Sequence, residues 1–418
     1  MSAFDRIIGY DYVKREMLEI VDMLKNPDVY EKLGATLPSG VLIEGDPGLG
    51  KTLLATAFME ECGVKSYILR RSKETREFIS EMNKVFADAK NNTPSIILLD
   101  DMDKFAPEEK NAEEFSVLQA LIDSIKNSGV FLIATVNCTK HIPNSLLRSG
   151  RFDRSLTLCY PTREDGPEIV KYYISKKPVG EGVNMDDLSK MLSGKSCAEL
   201  DSVINMAAIA AGHERCERIE MKHLVNATLR EAYGVSNNCE KMTPEEREEV
   251  AYHEAGHAVL SDIINEGSVG ITSICSTHKS DRGGFMLQCK SFSRRPHVII
   301  VSLGGKAAVE LQYGKIASGT SRDLSKACTH INESVKCVGT YGLANLGFGN
   351  ESVFQDARSE VVVTAEAERF LFKAKEILAQ NREFLEKVAR ELMEKETLLN
   401  SDIARIRATC TIRPAIIG

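Results

Sequence analysis

His253-Glu254-Ala255-Gly256-His257 sets two imidazoles four residues apart, with a carboxylate beside the first. On a helix the two histidines lie one turn apart and face the same way. Two imidazoles so placed can grip one Zn²⁺ and leave a coordination position for water. Glu254 then sits where it can take a proton from that water, which is the chemistry of a metalloprotease. The spacing alone also suits a half-buried histidine pair that holds no metal. Gly256 weighs against that reading. Glycine in mid-helix costs about 1 kcal/mol relative to alanine, and close approach of a second backbone is a natural reason for it.

A second chemistry lies at Gly45-Asp46-Pro47-Gly48-Leu49-Gly50-Lys51-Thr52, between the apolar run Val41-Leu42-Ile43-Glu44 and an apolar helix from Leu53. This G-x-x-x-x-G-K-T pattern stands in the strand–loop–helix setting that a phosphate cradle requires. Backbone N–H groups turn inward, and the helix N-terminus adds partial positive charge. Lys51 reaches the β/γ-phosphates of ATP and Thr52 holds Mg²⁺. The run Ser95-Ile96-Ile97-Leu98-Leu99 ends in Asp100 and Asp101: Asp100 for Mg²⁺ through water, Asp101 where a base for the attacking water belongs. Val130–Val136 is another buried strand, with Asn137 at its tip to orient that water. Arg148 and Arg151 flank Gly150; they read as plain surface charges or, in a ring ATPase, as arginine fingers acting on the neighbour's site.

Several elements must position these groups. Thr243-Pro244-Glu245-Glu246 reads as a helix start with a capping box, placing the histidine pair on the helix that follows. Ser66–Leu69 reads as a strand and Glu74–Lys90 as a helix, alternating as an α/β sheet does. Short helices are expected over Met185–Tyr233. Gly234-Val235-Ser236-Asn237-Asn238-Cys239 is small and polar and reads as a linker. Ile271–Cys275 and Gly284–Cys289 form two strands about the charged turn Lys279–Gly283. An exposed strand edge here suits an extended peptide, and a plain hairpin packed on helices fits equally well. His297–Gln312 reads as one helix, Ser321 opens another, and Val361–Ala379 and Asn381–Lys395 are amphipathic helices.

Bulk composition bounds the rest. At 418 residues, 43% hydrophobic and 27% charged, the chain is expected to hold two or three globular domains. A net charge of −7 offers no basic excess for nucleic acid. Eleven cysteines at irregular spacing suit free thiols in a reducing compartment. No apolar run reaches the ~20 residues of a spanning helix, so the chain is expected to be soluble and cytoplasmic as given, or membrane-associated if an anchor precedes it.

Residues from about Phe4 to Gly234 resemble the AAA+ module of the FtsH family. Phe4-Asp5-Arg6-Ile7-Ile8-Gly9 is similar to its opening, which implies that Ile8 and Gly9 line the nucleotide site. Ser196-Cys197-Ala198-Glu199-Leu200 is similar to the stretch that nears the nucleotide. The Gly319-Thr320-Ser321-Arg322-Asp323-Leu324 stretch is similar to the segment that supplies the third zinc ligand in that family. On spacing alone Asp323 reads as a helix cap; the resemblance implies zinc held by His253, His257 and Asp323. The implied fold class is an α/β AAA+ P-loop module, with a parallel sheet at 1–160 and a small helical lid at 161–234. A linker at 235–242 and a mainly helical zinc-protease domain at 243–418 follow. The other histidines, His223 among them, have no partner at metal spacing.

The resemblance implies an ATP-dependent zinc metalloendopeptidase with Zn²⁺, ATP and Mg²⁺. It also implies a homo-hexameric ring that unfolds and degrades unfolded or damaged proteins. Two departures stand out. Aspartate replaces the family's glutamate at Asp101, and no aromatic–hydrophobic–glycine pore loop lies between Arg70 and Phe86. Phe78-Ile79-Ser80 is the nearest substitute. They leave open a ring that hydrolyses ATP weakly or not at all and serves as a scaffold, or as a peptidase for already unfolded chains. A disassembly chaperone with an inert protease half is a third, weaker reading.

Overall fold

A computed structural model describes residues 2–417 except 36–37, 107–111, 149, 163–164, 236–241, 278–282, 315–320 and 339–352. The expected linker, the charged turn after Ile271–Cys275 and the residues just before Ser321 fall wholly or mostly outside the described residues. The chain forms two compact units: Met1–Ile169 with Gly194–Asp201, and Val170–Ser193 with Ser202–Gly418.

The first unit is built on a five-stranded parallel sheet: β1 (Gly40–Glu44), β2 (Lys65–Arg70), β3 (Ser95–Asp100), β4 (Val130–Val136) and β5 (Arg154–Thr157), in the order β2-β3-β4-β1-β5. Strands β1, β3 and β4 carry continuous apolar runs (residues 41–43, 96–99 and 130–134) because both faces of the sheet are covered. Alternate residues separate into two cores. Val41, Ile43, Ile96, Leu98 and Ile133 pack with Leu54 and Phe58 of the helix Lys51–Cys62. Leu42, Ile97, Leu99, Leu132 and Ala134 pack with Phe78, Met82 and Phe86 of the helix Thr75–Asn91. Phe78 is fully buried and meets Phe105 edge-on at 5.1 Å between ring centroids. It therefore cannot grip substrate, which corrects its reading as a pore-loop substitute.

The second unit centres on the helix Pro244–Ile264. Thr243 Oγ1 accepts from the Glu246 N–H (3.2 Å), and the Glu246 carboxylate accepts from the Thr243 N–H (2.9 Å), so the expected capping box is formed. Strand β6 (Val269–Ser273) lies between β7 (Phe285–Gln288) and β8 (Thr397–Leu399), antiparallel to both. Helices Ser321–Lys336, Val353–Gln380 and Arg382–Lys395 close one apolar core around the central helix.

The helix expected over His297–Gln312 is broken at Leu303 into Arg295–Ser302 and Gly304–Tyr313. The break brings Gly304 against Gly256: a Cβ on Gly256 would lie 2.3 Å from the Gly304 carbonyl oxygen and 2.6 Å from Ala308 Cβ. This is the close approach that the mid-helix glycine implied. Gly256→Ala must separate the two helices, and we expect a loss of about 1–3 kcal/mol or more, read as a lowered denaturant midpoint. A midpoint unchanged within error would contradict this packing.

Most of the helical lid, Val170–Ser193 and the residues from Ser202 on, lies in the second compact unit. Asp187, buried, accepts from the Ser401 N–H (2.9 Å) and hydroxyl (2.5 Å) at the start of the helix Asn400–Ala408, and Lys190 donates to Asn400 Oδ1 at 2.7 Å.

Candidate nucleotide and metal sites

The central helix presents His253 and His257 on one face, and the first turn of the helix Ser321–Lys336 brings Asp323 to them. His253 Nε2 lies 3.1 Å from Asp323 Oδ2 and 3.1 Å from His257 Nε2, and His257 Nε2 lies 3.3 Å from the same Oδ2. Three ligand atoms each about 2.0–2.2 Å from a tetrahedral Zn²⁺ stand roughly 3.3 Å apart. The spacing of the trio therefore fits zinc, with the aspartate that reads on spacing as a helix cap placed to be the third corner.

The surroundings support the same reading. His257 Nδ1 donates to the Val301 carbonyl at 2.7 Å, which turns Nε2 toward the cluster. Burial pulls the His257 imidazole down, yet the hydrogen bond and charge of Asp323 outweigh it and push it up to about 9. Burial likewise raises Asp323, but the two imidazoles hold it well below the usual carboxylate range. The cluster thus calls for positive charge at its centre, which a divalent ion supplies. Glu254 is only 4% exposed, and burial pushes its carboxyl up, making it a better proton acceptor than a solvated glutamate.

Gly305 escaped the sequence reading as a site residue. A Cβ there would lie 2.3–2.5 Å from Cε1, Nε2 and Nδ1 of His253. The imidazole fits only because position 305 has no side chain. In the sequence Gly304-Gly305 suggests close helix packing, but that position 305 faces His253 is set by the fold.

A second trio, Glu214, Cys216 and His223, also brings possible ligand atoms within 4.8 Å of one another. This corrects the expectation that His223 has no partner at metal spacing. It does not read as a metal site. His223 Nδ1 accepts from the Glu220 N–H at 3.0 Å, so the neutral ring carries its proton on Nε2 and donates it to Glu214 at 3.1 Å. Lys222 already pairs with that carboxylate at 2.8 Å.

In the first unit, Gly45–Gly50 forms the turn between β1 and the helix Lys51–Cys62, with Gly48 and Gly50 at positive φ. Lys51 Nζ donates to the Gly45 (2.6 Å) and Asp46 (3.0 Å) carbonyls and to Asn137 Oδ1 (2.9 Å). Thr52 Oγ1 donates to Asp100 Oδ1 at 2.9 Å. Tyr10, next to Ile8 and Gly9, donates from its hydroxyl to the carbonyls of Leu49 (3.2 Å) and Cys159 (2.8 Å), tying that segment to the turn. Ala198 donates its N–H to the Gly48 carbonyl at 3.3 Å, so the stretch from Ser196 also meets the turn.

The remaining site residues are placed less uniformly. Asp101 adopts a left-handed conformation (φ 55°), and its carboxylate pairs with Lys104 at 2.7 Å. Asn137 Nδ2 donates to Asp103 Oδ2 at 2.8 Å. Arg148 is exposed. Arg151 is held within its own chain by Asp123 (2.7 Å) and the Ser145 carbonyl (2.5 Å).

Fold and sites define a P-loop ATPase module followed, in one chain, by a peptidase module with a two-histidine, one-carboxylate metal cluster. Residues 41–160 match the ATPase family associated with various cellular activities (AAA), and residues 240–406 match peptidase family M41. The chain is 31% identical over 428 residues to ATP-dependent zinc metalloprotease FtsH 3 of Phytoplasma mali, covering 97% of this chain and 71% of that one. It is also 31% identical over 424 residues to FtsH 2 of Sphaerobacter thermophilus, covering 95% of this chain and 65% of that one. The chain belongs to the FtsH family of ATP-dependent zinc metalloproteases. It spans about two thirds of those relatives' length. Among the described residues, no helix is long and apolar enough to cross a membrane.

Proposed function

We propose that this chain is an ATP-dependent zinc metalloendopeptidase. It works as a homo-hexameric ring on unfolded or damaged proteins, feeding them processively to the zinc sites. The observation that carries the reading is the convergence of His253, His257 and Asp323 beside a buried Glu254. His253, His257 and Asp323 would hold a zinc ion, which would supply Lewis acidity toward the peptide carbonyl and the attacking water. Glu254 takes the water's proton and later hands it to the leaving amine. His257, fixed by Val301, and His253, seated on Gly305, keep the ligand atoms convergent. In the ATPase module Lys51, Thr52 and Asp100 bind nucleotide with Mg²⁺, and Asp101 and Asn137 handle the attacking water. Arg148 and Arg151 act on the neighbouring subunit's site, Arg151 after leaving Asp123. Division into domains at 1–160, 161–234 and 243–418 belongs to the same proposal.

Specific observations also favour the second reading, a ring with weak hydrolysis. Asp101 is a methylene shorter than glutamate and faces Lys104, and the aromatic nearest a pore loop is buried. The two readings separate in one set of assays. Casein and a stably folded protein are incubated with ATP, with a non-hydrolysable analogue, and with the Lys51→Ala variant. The motor reading expects the folded protein to be cut only with ATP and wild-type Lys51. Casein cleavage that is indifferent to nucleotide, with the folded protein untouched, would leave a peptidase without a motor. Asp101→Glu is expected to raise steady-state ATP turnover several-fold; an unchanged rate would show that side-chain length at 101 is not what limits hydrolysis.

A further inference from the structure

The carboxylate assigned to magnesium is already paired with a cation of the chain itself. Strands β2 and β3 run parallel in a register that sets Arg70 opposite Asp100. Both residues end their strands, and Asp100 meets Thr52, which follows the phosphate-binding turn. Asp100 is fully buried. Its Oδ1 accepts from Thr52 (2.9 Å) and Thr135 (2.7 Å); its Oδ2 accepts from Arg70 Nε at 2.9 Å and also from Arg70 Nη2. Both carboxylate oxygens are therefore engaged, and the guanidinium neutralises the negative charge that would attract a divalent ion.

Arg70 is not locked there. Its side chain is 55% exposed, so it can swing into solvent. The strand end beneath it stays fixed, because the next residue, Arg71, makes a bidentate pair with buried Glu114 (3.0 and 2.9 Å). The side chain of Arg70 can thus move without moving the backbone that holds it opposite Asp100.

We propose that Arg70 competes with Mg²⁺ for Asp100 and so sets the Mg²⁺ concentration at which the nucleotide site fills. This rests on the nucleotide-binding reading of Lys51, Thr52 and Asp100. A water-bridged Mg²⁺ draws on the same carboxylate charge that Arg70 already neutralises through a charge-assisted hydrogen bond. A partly exposed bond of that kind corresponds to roughly a tenfold difference in affinity.

Binding of a fluorescent ADP to the full chain, followed by anisotropy from EDTA to excess Mg²⁺, tests this directly. Wild type, Arg70→Ala and Arg70→Gln are compared, with Lys51→Ala as the binding control. The expected result is a Mg²⁺ midpoint roughly tenfold lower in both Arg70 variants. Two substitutions of different size guard against one that fails to fold. A midpoint equal to or above wild type, with nucleotide still bound, overturns the competition while leaving the nucleotide site intact. Absence of binding by wild type at every Mg²⁺ concentration overturns both.

Discussion

Glu254→Gln is expected to lower peptide-bond hydrolysis by about 10²- to 10⁴-fold while zinc content and nucleotide binding stay at wild-type levels. The substitution keeps the shape of the side chain and removes its capacity to accept a proton. The fold should tolerate it well. Glu254 is buried, burial already disfavours its charged form, and a neutral amide relieves that cost. The measurements are turnover of a quenched fluorescent peptide, metal content by mass spectrometry and the thermal midpoint. A variant that keeps more than a tenth of wild-type turnover would remove Glu254 from the role of general base. Loss of zinc together with activity would recast it as a structural support of the cluster.

The second large effect is expected at a residue that touches no metal. In Gly305→Ala the new methyl would occupy the place of the His253 ring, within 2.5 Å of three of its atoms. Such a contact is not absorbed by small shifts. Gly305 is itself buried, and Asp323 and His257 each stand 3.1 Å from the ring's Nε2. His253 must rotate away, leaving two ligands where three are needed. Changes to groups that merely orient a zinc ligand cost about 10- to 100-fold in affinity, and eviction of a ligand should reach or exceed that range. Zinc affinity is read by competition with a chromophoric chelator, with circular dichroism as the check on folding. A folded Gly305→Ala protein with wild-type zinc affinity would show that His253 does not need this space.

These two cases differ in how far the sequence alone reaches. The ligand pair and Glu254 are local: one helical turn relates them, and five consecutive residues carry the pattern. The same is true of Gly45–Thr52, since strand, turn and helix are consecutive. Strands β1, β3 and β4 were equally legible because double burial makes their central runs apolar. Asp323 is 66 residues beyond His257, and spacing alone gives it only the reading of a cap; resemblance to a family supplied the rest. Arg70 and Gly305 lay beyond both routes. Arg70 matters because of a strand register, and Gly305 because of which face one helix turns to another; neither leaves a periodic trace. Strand β8, three residues long, was missed for want of length, and the break at Leu303 because its flanks are both helical and apolar.

The lid teaches a related lesson. Asp187 follows another acid, Asp186, and carries no signal of its own in the sequence. In the fold it is buried and caps a helix more than two hundred residues later. Long-range capping of this kind ties a lid helix to the peptidase residues, with which most of the lid shares one compact unit.

The central claim is that one divalent ion is held by His253, His257 and Asp323. Crystals of the full chain, with anomalous diffraction collected on both sides of the zinc absorption edge, test it most directly. The account predicts one strong zinc peak per subunit at this cluster, about 2.0–2.2 Å from both Nε2 atoms and from Asp323 Oδ2. A peak bound by the two histidines with Asp323 turned several ångströms away, or no peak in zinc-loaded protein, would contradict it.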